Sequence, residues 1–192
     1  MAQTNPETEA ELIRRITQGD GAAFERLIRR YERLVAHMVY RLVDGHEERM
    51  DLCQDVFLKV YQALPAFRFD CKLSTWIAKI AYRTAINALE KKRAVLFEDQ
   101  SGGYDLDSLM GPVMDPEAAY LETDRRQRLD QAMDQLDERY RLPLTLYHLE
   151  GMSYAEIGEV VGLPEGTVKS HLFRARKQLK DVLTREYAGE SL

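Results

Sequence analysis

The sequence predicts an all-α protein: two small helical domains joined by a flexible acidic linker, the C-terminal one a helix-turn-helix. Three observations carry that expectation. Apolar residues recur at three-to-four spacing through most of the chain, and no segment shows the alternation of a half-buried strand. Residues 96–124 hold eight acids and no Lys or Arg. The same stretch gathers turn formers, Ser101-Gly102-Gly103, Gly111-Pro112 and Asp115-Pro116, which break any sustained period. About 20 residues without an element is too long for a loop inside a compact domain and points to a linker. The expected divisions are 1–95, 96–116 and 117–187.

Taken in order, a short helix around Leu12, Ile13 and Ile16 ends at Gly19-Asp20-Gly21. Phe24, Leu27, Ile28, Tyr31, Leu34, Val35, Met38 and Leu42 define a long second helix, closed by Asp44-Gly45. A third runs from about Glu47 to Leu64, stopped by Pro65, and a fourth from about Ser74 to Arg93. Beyond the linker, helices are expected at about 115–136, 138–150, 153–161 and 164–184.

The charge balance needs segmenting. With 27 Lys plus Arg and 32 Asp plus Glu, the net charge of −5 argues, as an average, against an anionic partner. By segment it is +3 over 1–95, −8 over 96–124 and zero over 125–192. The linker supplies the whole negative excess. Two cysteines, Cys53 and Cys71, make no disulfide framework and fit a reducing interior. Residues 1–15 lack the apolar core of a signal peptide, and no apolar run approaches the ~18 residues of a membrane span. A cytoplasmic protein with no membrane contact of its own is expected. The sequence holds no phosphate-cradling glycine loop, no metal-ligand cluster and no nucleophile–base pairing, so neither a cofactor, a metal nor an enzymatic activity is expected.

Ser153-Tyr-Ala-Glu156 spells a capping box, and Ile157, Val160 and Val161 give its helix an apolar face. Gly162 supplies a stop and Pro164 a start, which together make a helix, a tight turn and a second helix. Projected at about 100° per residue, Val168, Leu172, Ala175, Leu179 and Val182 form the core stripe of the second helix. Lys169, Ser170, Phe173, Arg174, Lys177 and Lys180 lie opposite, and residues 167–180 carry five basic residues and no acid. A solvated surface face is the bland alternative. Against it stand the absence of any acid within 167–180 and the suitability of Ser170 and Phe173 for base edges and thymine methyls, with Arg and Lys for guanine or phosphate.

The run from Leu136 through Tyr140, Tyr147, Ser153 and Glu156 to Gly158, followed by Gly166-Thr-Val-Lys-Ser-His-Leu-Phe-Arg-Ala-Arg176, resembles region 4 of a bacterial RNA polymerase sigma factor, most nearly the small extracytoplasmic-function (ECF) class. The resemblance implies that Lys169, Ser170, His171, Phe173, Arg174 and Lys177 read the upstream (minus-35) promoter element. His171 lies nearer the core edge, where a structural histidine is an equal alternative.

In the N-terminal half, Leu52, Val56, Lys59 (through its stem), Val60 and Ala63 line one face of the third helix, while Phe57, Leu58, Tyr61 and Leu64 point elsewhere. A helix apolar on more than one side is either buried all round or holds a partner. Asp51-Leu-Cys-Gln-Asp-Val-Phe-Leu-Lys-Val-Tyr61 is similar to sigma region 2.2, which implies core-polymerase contact by Asp51, Gln54, Asp55, Phe57, Leu58 and Tyr61. Residues 68–93 then carry seven basic and two acidic residues, interleaved with aromatics. Lys and Arg suit backbone phosphates, and ring faces suit unstacked bases at about 1–3 kcal/mol each. Taken singly, Phe67 and Trp76 read equally as core. Together the segment resembles regions 2.3 and 2.4, which implies capture of the melted downstream (minus-10) strand by Phe67, Arg68, Phe69, Lys72, Trp76, Lys79, Arg83 and Asn87. The family usually has a small residue, often Gly, where Phe69 stands, and Asn where Arg83 stands, so the downstream sequence preference does not carry over. Cys71 lies in the same loop, but Cys53 and His46 leave a poor ligand count for a metal.

The resemblance therefore implies a dissociable specificity subunit: partners would be core RNA polymerase, double-stranded and melted promoter DNA, and an anti-sigma factor. In relatives the linker threads the polymerase's nucleic-acid channels, where an acidic strand would mimic RNA. An autonomous helix-turn-helix regulator is the alternative the residues leave open.

Overall fold

The computed structural model describes residues 8–43, 45–98 and 129–187, with the side chains of 93–98, 138, 186 and 187 excepted. The acidic linker expected over 96–116 and most of the helix expected over 115–136 lie outside the described residues. Every described element is helical. The chain divides into two units, within Met1–Gly103 and Tyr104–Leu192.

The first unit contains α1 (Glu9–Thr17), α2 (Gly21–Tyr40), α3 (His46–Ala63), one 3₁₀ turn (Leu64–Ala66) and α4 (Leu73–Glu98). Each boundary has a local cause. Thr8 Oγ1 accepts from the Glu11 amide at 3.2 Å, opening α1. Gly19, at φ 88°, breaks the chain after it, and Asp20 caps α2 by accepting from the Ala23 amide at 3.0 Å. That amide bond and the Arg15 guanidinium, whose Nε donates at 2.8 Å, hold the Asp20 carboxyl below its usual range. Pro65 converts the end of α3 into the 3₁₀ turn. The described helix α4 continues past the expected stop at Arg93 to Glu98, because no Gly or Pro intervenes before Gly102.

α2 packs against α1, α3 and α4 and centres the core. Leu27, Val35, Met38 and Val39 on α2 meet Val56 and Val60 of α3, and Ile77, Ala78, Ala81 and Ala85 of α4, all fully buried. Tyr31 on α2 donates from Oη to Glu9 Oε1 at 2.7 Å, tying α1 down, and burial pushes its phenol pKa upward.

The second unit holds a helical stretch over 129–134, then α5 (Glu138–His148), α6 (Tyr154–Val161) and α7 (Glu165–Tyr187). Leu136, Leu146, Ile157, Val168, Leu172 and Ala175 are at its centre.

Candidate nucleic-acid and partner-binding surfaces

The capping box that opens α6 forms in both directions. Ser153 Oγ accepts from the Glu156 amide at 3.3 Å, and Glu156 Oε2 accepts from the Ser153 amide at 2.8 Å. Gly162 closes α6 in the left-handed conformation, φ 72°, and the amides of Gly162 and Leu163 both donate to the Gly158 carbonyl, at 2.9 and 3.0 Å. Gly158 carries a constraint that periodicity does not reveal: a Cβ there would lie 2.6 Å from the Leu163 carbonyl oxygen. A glycine inside an apolar helical run was the only sequence signal of that close approach.

α7 presents its expected face. Val168, Leu172, Ala175 and Val182 are buried, while Lys169, Ser170, Phe173, Arg174, Lys177 and Lys180 are exposed. Phe173 is 70% exposed, the most open large apolar side chain among the described residues. Ser170 Oγ donates to the Gly166 carbonyl at 2.9 Å, which fixes its rotamer while its oxygen remains at the surface. His171 differs from its neighbours. Its ring meets Tyr140 edge-on at 5.3 Å, and its buried Nδ1 has no hydrogen-bond partner, which places it at the core edge beside the exposed residues of α7. A cluster unmarked by any motif flanks this helix: the Arg176 guanidinium stacks 4.9 Å from the Tyr147 ring centroid, and its Nε donates to His148 Nε2 at 3.4 Å. Burial, with the Arg176 charge second, holds His148 below its usual pKa.

On α3, Asp51, Gln54, Asp55, Leu58 and Tyr61 are exposed, Leu58 at 54% and Tyr61 at 43%. Tyr61 is braced edge-on against Phe24, ring centroids 4.9 Å apart. Phe57 corrects the expected set, since it is buried at 9% beside Val56 and Val60 and presents no surface to a partner. Leu64 is buried as well. The two sides of α3 that periodicity left equivalent are thus unequal: α2 and α4 cover one, and the other stays open. Met50, 45% exposed, extends the open face by one turn, and stepping back four residues from Gln54 would have found it. Glu47, Glu48, Asp51 and Asp55 line an open cleft of about 630 Å³ beside this face, giving it an acidic border.

The loop before α4 gathers rings. Phe67 stands 4.7 Å from Phe69 and 5.1 Å from Trp76, tilted 54° and 51°. Phe67 and Trp76 are half-buried, and Phe69 is 53% exposed. Arg68 and Lys72 are exposed in the same loop. Trp76, Lys79, Arg83 and Asn87 follow at steps of three, four and four residues, one stripe along α4 opposite the buried Ile77, Ala81 and Ala85. The structure therefore collects all eight expected minus-10 residues on the loop and one helix face. Phe69 is the one non-glycine described residue with positive φ, 61°. That conformation favours a residue without a bulky side chain. Cys53 and Cys71 are free and half-buried, and burial raises the Cys53 thiol pKa. Among the described residues, no group of three or more His, Cys, Asp or Glu could hold a metal, and no helix is long and apolar enough to cross a membrane.

Comparison with known proteins agrees over most of the chain. The family described as Sigma-70 region 2 matches residues 27–95, and that described as Sigma-70, region 4 matches 126–179. The RNA polymerase sigma-H factor of Pseudomonas aeruginosa is 34% identical over 183 residues, covering 92% of this chain and 94% of that protein. The ECF RNA polymerase sigma-E factor of Escherichia coli K12 is 34% identical over 177 residues, covering 90% and 92%. Among solved structures, the sigma factor RpoE of Bartonella quintana, in complex with the anti-sigma factor NepR, superposes with a TM-score of 0.68 at 22% identity, over 84% of this chain and 96% of that one.

Proposed function

This chain belongs to the sigma-70 family of RNA polymerase sigma factors, in its ECF branch, and from that premise we propose how its surfaces divide the work of initiation. Residues 1–95 form the unit that binds core polymerase and captures the minus-10 strand. Residues 96–116 tether it, and 117–187 read the minus-35 element. Asp51, Gln54, Asp55, Leu58 and Tyr61 meet the polymerase. Lys169, Ser170, Phe173, Arg174 and Lys177 enter the upstream major groove, with His171 bracing the helix from the core edge. Phe67, Arg68, Phe69, Lys72, Trp76, Lys79, Arg83 and Asn87 hold the melted strand through phosphates and ring faces. The chain performs no chemistry of its own: polymerase supplies catalysis, and this subunit supplies address and strand capture. It works in the cytoplasm without cofactor or metal, and an anti-sigma factor holds it inactive.

The observation that carries this proposal is the presence, on one chain, of an open α3 face with an acidic border and an open basic face on α7. Run-off transcription with purified core polymerase tests it. Addition of the chain should yield promoter-specific transcripts that core alone does not make. Arg174→Ala should lower them by about 10–100-fold, the size of one lost base contact, with core affinity intact. Absence of any chain-dependent product refutes the proposal, and tight, specific DNA binding by the free chain at physiological salt would favour an autonomous regulator instead.

A further inference from the structure

Phe69 combines three properties that packing alone does not account for. Its backbone sits at φ 61°, in the left-handed region that disfavours a bulky side chain. Its ring is 53% exposed, so the strain is not offset by burial. It is also held in place, tilted 54° against Phe67, which in turn is tilted 51° against Trp76. Strain retained at an exposed position that a glycine would satisfy better points to use of the side chain. The row of three rings runs from the half-buried Trp76 outward, and Phe69 is its open end, with Arg68 before it, Asp70 after it and Lys72 three residues on.

We propose that Phe69 is a base-stacking platform at the outer end of the Phe67–Trp76 row, giving this chain one additional stacked nucleotide on the unpaired strand. This rests on the minus-10 assignment of the loop given above. The physical grounds are the 53% exposure of Phe69 at the end of the row, which offers ring surface to a planar base, and the positive charge of Arg68 and Lys72 in the same loop for the phosphate. A ring face accepts any base, so the added contact contributes affinity for single strand without narrowing the sequence read. A partner protein covering Phe69 is the competing occupant, but a single open ring in a polar loop that carries Arg68, Asp70 and Lys72 fits a nucleotide better than an apolar interface core.

The test uses the full chain assembled with core polymerase, and a twelve-nucleotide oligodeoxythymidine carrying one 2-aminopurine at successive positions. Binding and fluorescence quenching are measured for the native chain, Phe69→Gly and Phe69→Trp, alongside thermal unfolding and core association. Phe69→Gly suits φ 61° and should fold with an unchanged or higher unfolding temperature. It should bind the oligonucleotide about tenfold more weakly, about 1.4 kcal/mol, and lose quenching at one position only. Phe69→Trp should restore both. Equal binding and quenching by Phe69→Gly overturns the platform while leaving the strand-capture assignment of the loop intact. Loss of core association in Phe69→Gly overturns it in favour of a protein contact. If the native assembly binds the oligonucleotide no better than core alone, the loop assignment fails, and the platform with it.

Discussion

Replacing Gly158 by Ala is the sharpest test of the turn geometry, because two effects of known size oppose each other. In an open helix the change would add about 1 kcal/mol of helix propensity. Here the new Cβ would stand 2.6 Å from the Leu163 carbonyl oxygen. That carbonyl belongs to a turn pinned by the Gly162 and Leu163 amides, both bonded to the Gly158 carbonyl at 2.9 and 3.0 Å, so the backbone cannot retreat without weakening them. Overpacking of this kind reaches about 3 kcal/mol, which leaves a net loss of about 2 kcal/mol. For a unit of this size each kcal/mol moves the midpoint by about 4–8 °C, so the second unit should melt about 8–16 °C lower. Gly166→Ala is the internal control. Nothing lies within 4 Å of a Cβ there, so it should stabilise the same transition by up to about 1 kcal/mol. Differential scanning calorimetry on the full chain reads both. Should Gly158→Ala melt at or above the native midpoint, the close approach of α6 to the turn is refuted.

Other expectations concern burial, charge and pH. Phe57→Ala should cost the first unit about 3–5 kcal/mol in urea unfolding, whereas Leu58→Ala should stay within about 0.5 kcal/mol yet weaken core-polymerase binding; equal stability losses would contradict the assigned faces of α3. Lys177→Ala should lower the magnitude of the salt slope of upstream-element binding by about 0.9, the value of one phosphate contact, as read by titration from 50 to 200 mM salt. An unchanged slope would remove Lys177 from the interface. His148 has a folded pKa below its ordinary 6.5, so between the two values the folded chain binds fewer protons than the unfolded one. Its contribution is whole above about pH 6.5 and is lost as pH falls toward the lowered value. His148→Gln should flatten the decline of the second unit's stability below that pH, and a pH profile identical to the native one would show that the histidine is not held neutral.

The elements that sequence made legible are those set within a few residues. The Ser153–Glu156 box, the Gly162 stop and the alternation of Val168, Leu172 and Ala175 with Lys169, Phe173 and Arg174 are interactions within one or two helical turns, and they fold as spelled. The same locality made the aromatic and basic content of 67–83 readable. Its organisation into a row of rings was not readable, since nothing in the order Phe67, Phe69, Trp76 specifies tilts of 54° and 51° or a left-handed Phe69.

The amino-acid order by itself determined helix positions, the polarity of α7 and the concentration of negative charge between two less acidic parts, because periodicity, caps and charge are properties of neighbours along the chain. Tertiary structure alone decided which apolar side of α3 is core. Phe57 and Leu58 are adjacent and both apolar, yet one is 9% and the other 54% exposed. Their difference arises from where α2 and α4 come to rest, and burial is a free energy shared among elements far apart in sequence. His171 and Gly158 follow the same rule: what each touches is fixed by Tyr140 and Leu163, residues whose approach exists only once the helices have packed.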